Sequence, residues 1–254
     1  MASTSPYKGT QLLTPTTQTT QSPLIVCFHG AGESCASWWD IAQILVSKSY
    51  RVLLYDRGDN NAKPEPVVKD MAKYLSESQF VPPYVLVAHS YGGTFARQFL
   101  QLHRAAVTGM VLVETGQETA LPAAIENEQY RRQILGDKPL SVIRGNSLIA
   151  GYAKFQAQLD AAHSEAQREE IRNCSNFQLL ENMDRKDEEL KKRQLGLSRN
   201  SNYIHLPDCG HHVIRDRPDA VAEQVDWVMA RLVVDDENVT GSWLHRVRGI
   251  LRRR

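Results

Sequence analysis

Short runs in which every residue is apolar, rather than every second one, dominate the first half of this sequence. Leu24-Ile25-Val26-Cys27-Phe28 is the sharpest and is stopped by His29-Gly30-Ala31-Gly32. The stretches 84–88 and 109–113 repeat the pattern, as does 51–55 after its opening Arg51. A strand with no polar face has to be covered on both sides, which excludes an open antiparallel sheet with one wet face. The intervening segments supply the cover. Residues 37–47 carry Trp38, Ile41, Leu45 and Val46 at helical spacing, and 66–78 has Val67, Met71 and Leu75 at steps of four. A third helix is expected over 91–103, strands at 140–143 and 203–206, and a last helix over 218–232 with Val221, Val225, Val228 and Met229 inward. The expected fold class is therefore α/β, a mostly parallel central sheet with helices on both faces.

Organisation follows from where this rhythm stops. Residues 1–22, rich in Thr, Gln and Ser, read as a loose arm with a short edge strand around Gln11–Leu13. Residues 23–234 read as a single domain, which the 254-residue length allows. Within it, 147–200 is long, polar and helix-forming, a helical excursion before the last strand and a candidate lid. Its charge-dense part, 184–193, reads as a solvated helix face. Its apolar residues Ala153, Phe155, Leu159, Ile171, Phe177, Leu179, Leu180 and Met183 are expected to pack on the sheet or to line the underside of a lid. Residues 235–254 form a basic tail.

Charge narrows the partners. Thirty basic against 29 acidic residues give +1, but five arginines lie in 241–254, and without them the chain stands at −4. No broad positive field argues for nucleic acid. The tail has two readings: a short amphipathic helix touching an anionic membrane surface, with Trp243, Leu244, Val247, Ile250 and Leu251 on one side, or a solvated extension. Cys27, Cys35, Cys174 and Cys209 form no C-x-x-C pair and read as reduced, mostly packed thiols. No apolar run approaches the ~20 residues of a membrane span, and no secretory signal opens the chain, so a cytoplasmic protein is expected. Nothing in the sequence sets the oligomeric state.

The chemistry concentrates at Val87-Ala88-His89-Ser90-Tyr91-Gly92-Gly93. A strand runs directly into a small-x-Ser-x-Gly turn and then into a helix. Such a turn lifts the serine hydroxyl above the sheet at a helix N-terminus, where an amide N–H and the helix dipole face any developing negative charge. Ala88 stands where the pattern usually opens with Gly.

With these residues the sequence resembles the α/β-hydrolase superfamily, as a small serine esterase-like member, from about Leu24 to Leu232. The resemblance implies a Ser90 nucleophile and an oxyanion hole of two backbone N–H groups, those of Ala31 and Tyr91. Each such donor is typically worth about 3–4 kcal/mol. His29 reads as a hydrogen-bonded structural histidine of the H-G-x loop. After the 203–206 strand comes Asp208-Cys209-Gly210-His211-His212, and His211, seven residues before Pro218, matches the place of the base in the family's pattern, so the resemblance implies His211 as the base, with His212 the fallback. The usual turn for the acid, Arg144-Gly145-Asn146-Ser147, holds no carboxylate. A subset of the superfamily carries the acid one strand earlier, which points to Glu114 at the end of 109–113, with Glu118 the alternative. Asp56-Arg57-Gly58-Asp59-Asn60 resembles a scaffold loop, and Trp38 and Trp39 read as helix-packing residues.

The resemblance implies hydrolysis of a carboxylic ester, thioester or lactone of a small organic substrate through an acyl-serine. The alternative is non-hydrolytic work on the same fold, a cyclase or lyase, or a ligand-binding receptor using the same pocket. No metal, nucleotide or flavin motif occurs, so no cofactor is expected.

Overall fold

The structure, a computed structural model, describes residues 9–15, 22–58, 63–116 and 121–232. Most of the 1–22 arm, the 235–254 tail, Asp59, Asn60 and Glu118 lie outside the described residues. Among the described residues, seven strands form one sheet: β1 (Gln11–Leu13), β2 (Leu24–Phe28), β3 (Arg51–Tyr55), β4 (Tyr84–His89), β5 (Val107–Val113), β6 (Leu140–Arg144) and β7 (Ser201–His205). Their order is β1-β3-β2-β4-β5-β6-β7, with β1 antiparallel to β3 and every other pair parallel.

The helices are α1 (Trp39–Ser47), α2 (Pro64–Glu77), α3 (Gly92–Leu102), α4 (Ala123–Arg131), α5 (Ile149–Asp160), α6 (Glu165–Asn173), α7 (Ser175–Arg193), α8 (Val213–Asp216) and α9 (Pro218–Met229). The absence of a polar face in the strands now has its reason. Leu24, Val26 and Phe28 point into one core with Val68 and Met71 of α2 and Phe95 and Phe99 of α3. Ile25 and Cys27 point into the other, with Ile41 and Leu45 of α1 and Val221 and Val225 of α9. Burying a side chain of this kind stabilises by about 1.5–3 kcal/mol, so a polar residue on either face of β2 would lose that and add a desolvation cost.

Three local outcomes differ from the sequence expectation. A short 3-10 turn, Cys35–Trp38, precedes α1, and it separates the two tryptophans: Trp38 is fully buried while Trp39 is exposed. α4 carries no apolar stripe. Its one fully buried residue is Gln129, which donates to the Arg97 carbonyl at 2.9 Å and accepts from Arg97 Nε at 3.0 Å. A polar anchor of this kind has no hydrophobic period to read.

The third difference is α7. The charge run 184–193 is not a solvated face throughout, because Asp187 and Lys191 are buried and Lys191 is fully so. Leu179 and Met183 on the same helix are exposed, and none of the eight apolar residues expected to pack is fully buried. The apolar residues of α5 and α7 meet one another instead: Phe155 makes an edge-on contact with Phe177 at 5.2 Å, and Leu180 lies against Gly151. Among the described residues no helix is long and apolar enough to cross a membrane. The four cysteines are free, three of them buried and Cys174 half-buried.

Candidate active site

The parallel strands all end at one edge of the sheet, where ligand sites of such folds gather. β4 ends at His89, and Ser90 follows at φ +48 with its amide donating to the Val113 carbonyl at 3.0 Å. A non-glycine residue in the left-handed region costs on the order of 1–3 kcal/mol and persists only where its surroundings enforce it. The turn is tight enough that a Cβ on Gly92 would sit 2.2 Å from the Phe28 carbonyl oxygen. Glu114, the first residue after β5, repeats the geometry at φ +51, with its amide donating to the Ile143 carbonyl at 2.9 Å.

Ser90, His211 and Glu114 meet in a hydrogen-bonded chain. His211 Nε2 lies 3.0 Å from Ser90 Oγ, and His211 Nδ1 lies 3.1 Å from Glu114 Oε2. Glu114 is buried, and its second oxygen accepts from the Gly145 amide at 2.7 Å while the Ser147 hydroxyl donates to Oε2 at 2.7 Å. The turn that lacks the usual acid thus supplies two donors to a carboxylate from the neighbouring strand. Lys191 Nζ approaches Glu114 Oε1 at 3.6 Å. Burial pushes the Glu114 carboxyl up, but the His211 hydrogen bond, the Lys191 charge and the Ser147 and Gly145 donors outweigh it and hold the group at about 2. His212, the fallback base, turns elsewhere, its Nδ1 lying 3.8 Å from Glu33.

The loop at 29–32 is fixed from three directions. His29 is buried, with Nδ1 bonded to the Gly30 carbonyl at 3.0 Å, and burial together with Arg57 lowers its pKa. Arg57 donates to the carbonyls of His29 and Gly30, both at 2.5 Å, and stacks over the Phe95 ring at 4.7 Å. Glu33 accepts from the Gly30 amide at 2.8 Å and lies 3.2 Å from His89 Nδ1, while His89 Nε2 lies 2.9 Å from the His211 carbonyl. His89 therefore ties this loop to the backbone of the 208–212 loop. Burial pushes the Glu33 carboxyl up, yet the bond and charge of His89 and the Gly30 amide hold it down at about 2. Ala31 and Tyr91 stand in this loop and directly after Ser90, and among the described residues neither amide N–H is engaged.

Sequence reasoning did not single out Ser147, Lys191, Glu33 or His89. Ser147 was readable as a donor in a turn without an acid. Lys191 lies four residues after Asp187, a spacing that marks a helical ion pair but not its burial. Among the described residues no group of His, Cys, Asp and Glu could hold a metal ion.

A parallel sheet covered on both faces, with a serine on a strained strand-to-helix turn, defines a class that comparison identifies. Residues 25–224 match the alpha/beta hydrolase family, and the chain belongs to it. An "AB hydrolase superfamily protein" of Gibberella zeae is 24% identical, over 83% of this chain and 87% of its own. The "Probable transporter efuK" of Hormonema carpetanum is also 24% identical over 82% of this chain, but the chain spans only 39% of that protein's length. A thermophilic esterase from Thermogutta terrifontis, 16% identical, superposes with a TM-score of 0.53 over 88% of this chain and 94% of its own, a likeness of fold.

Proposed function

We propose that the protein is a serine hydrolase that cleaves an ester, thioester or lactone of a small organic substrate through an acyl-Ser90 intermediate. The observation that carries this reading is the pair of hydrogen bonds at His211, between Nε2 and Ser90 Oγ at 3.0 Å and between Nδ1 and Glu114 Oε2 at 3.1 Å. In the first half-reaction Ser90 Oγ attacks the substrate carbonyl carbon as His211 Nε2 takes the hydroxyl proton. The amides of Tyr91 and Ala31 stabilise the oxyanion, and the imidazolium returns its proton to the departing alcohol or thiol. In the second, His211 deprotonates a water that attacks the acyl carbon, and Ser90 leaves reprotonated as the carboxylic acid is released. Glu114 orients the ring through Nδ1–H and stabilises the imidazolium in both halves.

Hydrolysis of a panel of p-nitrophenyl esters of increasing chain length tests this. The wild type should turn over at least one member, and Ser90→Ala should lower kcat by about 10⁴-fold or more. A Ser90→Ala variant that keeps the wild-type rate would overturn the reading.

A further inference from the structure

The face of α7 turned toward the end of β6 is charged, although its spacing is that of an apolar stripe. Asp184, Asp187, Glu188 and Lys191 follow one another at i, i+3, i+4 and i+7. Lys191 Nζ sits 2.5 Å from Asp187 Oδ1 and 3.6 Å from Glu114 Oε1, with the side chains of Lys191 and Glu114 fully shielded from solvent. Asp187 Oδ2 in turn accepts from Arg144 Nε at 2.9 Å, and Arg144 at the end of β6 is buried. We propose that Lys191 is a positioning residue for the base: its ammonium balances the buried charge around Glu114 so that resting His211 stays neutral and can take the Ser90 proton. This rests on the serine-hydrolase reading above.

The argument is one of charge in a medium where charge is poorly screened. Glu114 and Asp187 are negative, Lys191 and Arg144 positive, and the buried group sums to zero with His211 uncharged. Asp184 and Glu188 also face Arg144, but their side chains are 35% and 39% exposed and water screens them. Around His211 itself stand Ser90, Ser147, whose hydroxyl is 3.5 Å from Nδ1, and the rings of His89 and His212 at 5.0 and 5.7 Å. Glu33 faces the latter two rings, and Cys209, whose thiol burial pushes up, also feels Glu114. Removing the ammonium leaves the buried group at −1, which protonation of His211 cancels. The base would then be lost at a higher pH. Removing the Asp187 charge instead leaves +1 and disfavours the imidazolium.

The rate of labelling by a fluorophosphonate reports this without a known substrate, since Ser90 Oγ displaces fluoride from phosphorus and passes its proton to His211. Measured across pH, Lys191→Met should raise the acid-side midpoint by roughly half to one pH unit. Lys191→Arg should leave the midpoint at the wild-type value, and Asp187→Asn, which keeps an acceptor for Arg144, should lower it. The double variant Lys191→Met/Asp187→Asn should return to the wild-type midpoint. Should Lys191→Met fail to fold, the downward shift in Asp187→Asn carries the test. Midpoints unmoved in the folded single variants, with labelling still lost in Ser90→Ala, would overturn the role of Lys191 alone. Labelling that survives in Ser90→Ala would overturn the hydrolase reading instead.

Discussion

Ser90 and Glu114 each occupy the first position after a strand, each has positive φ, and each donates its amide to a carbonyl at the C-terminal end of the neighbouring strand. Ser90 was readable because small residues must flank such a turn, and Gly92 pressed on the Phe28 carbonyl is the reason. Glu114 was readable only because the 144–147 turn held no acid. Its strain was not readable, since a glutamate carries no signal for the left-handed region. The proposed role predicts a specific loss. Glu114→Gln keeps an acceptor for the Gly145 amide but removes the charge that stabilises the imidazolium. It should lower kcat for p-nitrophenyl ester hydrolysis by about 10³–10⁴-fold, measured beside a circular dichroism spectrum that matches the wild type. A loss below about tenfold would point to another acid.

At the scale of elements, α1, α2, α3 and α9 were readable from spacing because each buries an apolar stripe against the sheet. α4 was not, and of α7 the helix was expected but not its buried face, for a shared reason: what they bury is polar. Gln129 and Arg97 hold α4, while Asp187 and Lys191 hold α7. A sequence shows a charge run but not which of its members meets a partner from another element. The buried members of α7 should therefore matter to stability. Asp187→Ala, which removes the buried carboxylate that Lys191 and Arg144 share, should cost about 3–5 kcal/mol in urea unfolding. A cost under about 1 kcal/mol, that of a surface pair, would contradict the burial of this network.

At the scale of the molecule, the doubly apolar strands pointed to a mostly parallel, covered sheet, and the family match over 25–224 runs from β2 into α9. The excursion of α5–α7 is the departure with consequences. The C-terminal half of α7 reaches Glu114 with a cation, while the N-terminal half of the same helix shows Leu179 and Met183 to solvent. Sheet, strained turn and excursion thus converge on one serine, and the central claim is that Ser90 is the nucleophile. Intact-mass spectrometry after treatment with a fluorophosphonate, followed by peptide mapping, tests it most directly. The account predicts a single adduct on Ser90 in the wild type and none in Ser90→Ala; an adduct on another residue, or one that persists at full stoichiometry in Ser90→Ala, would contradict it.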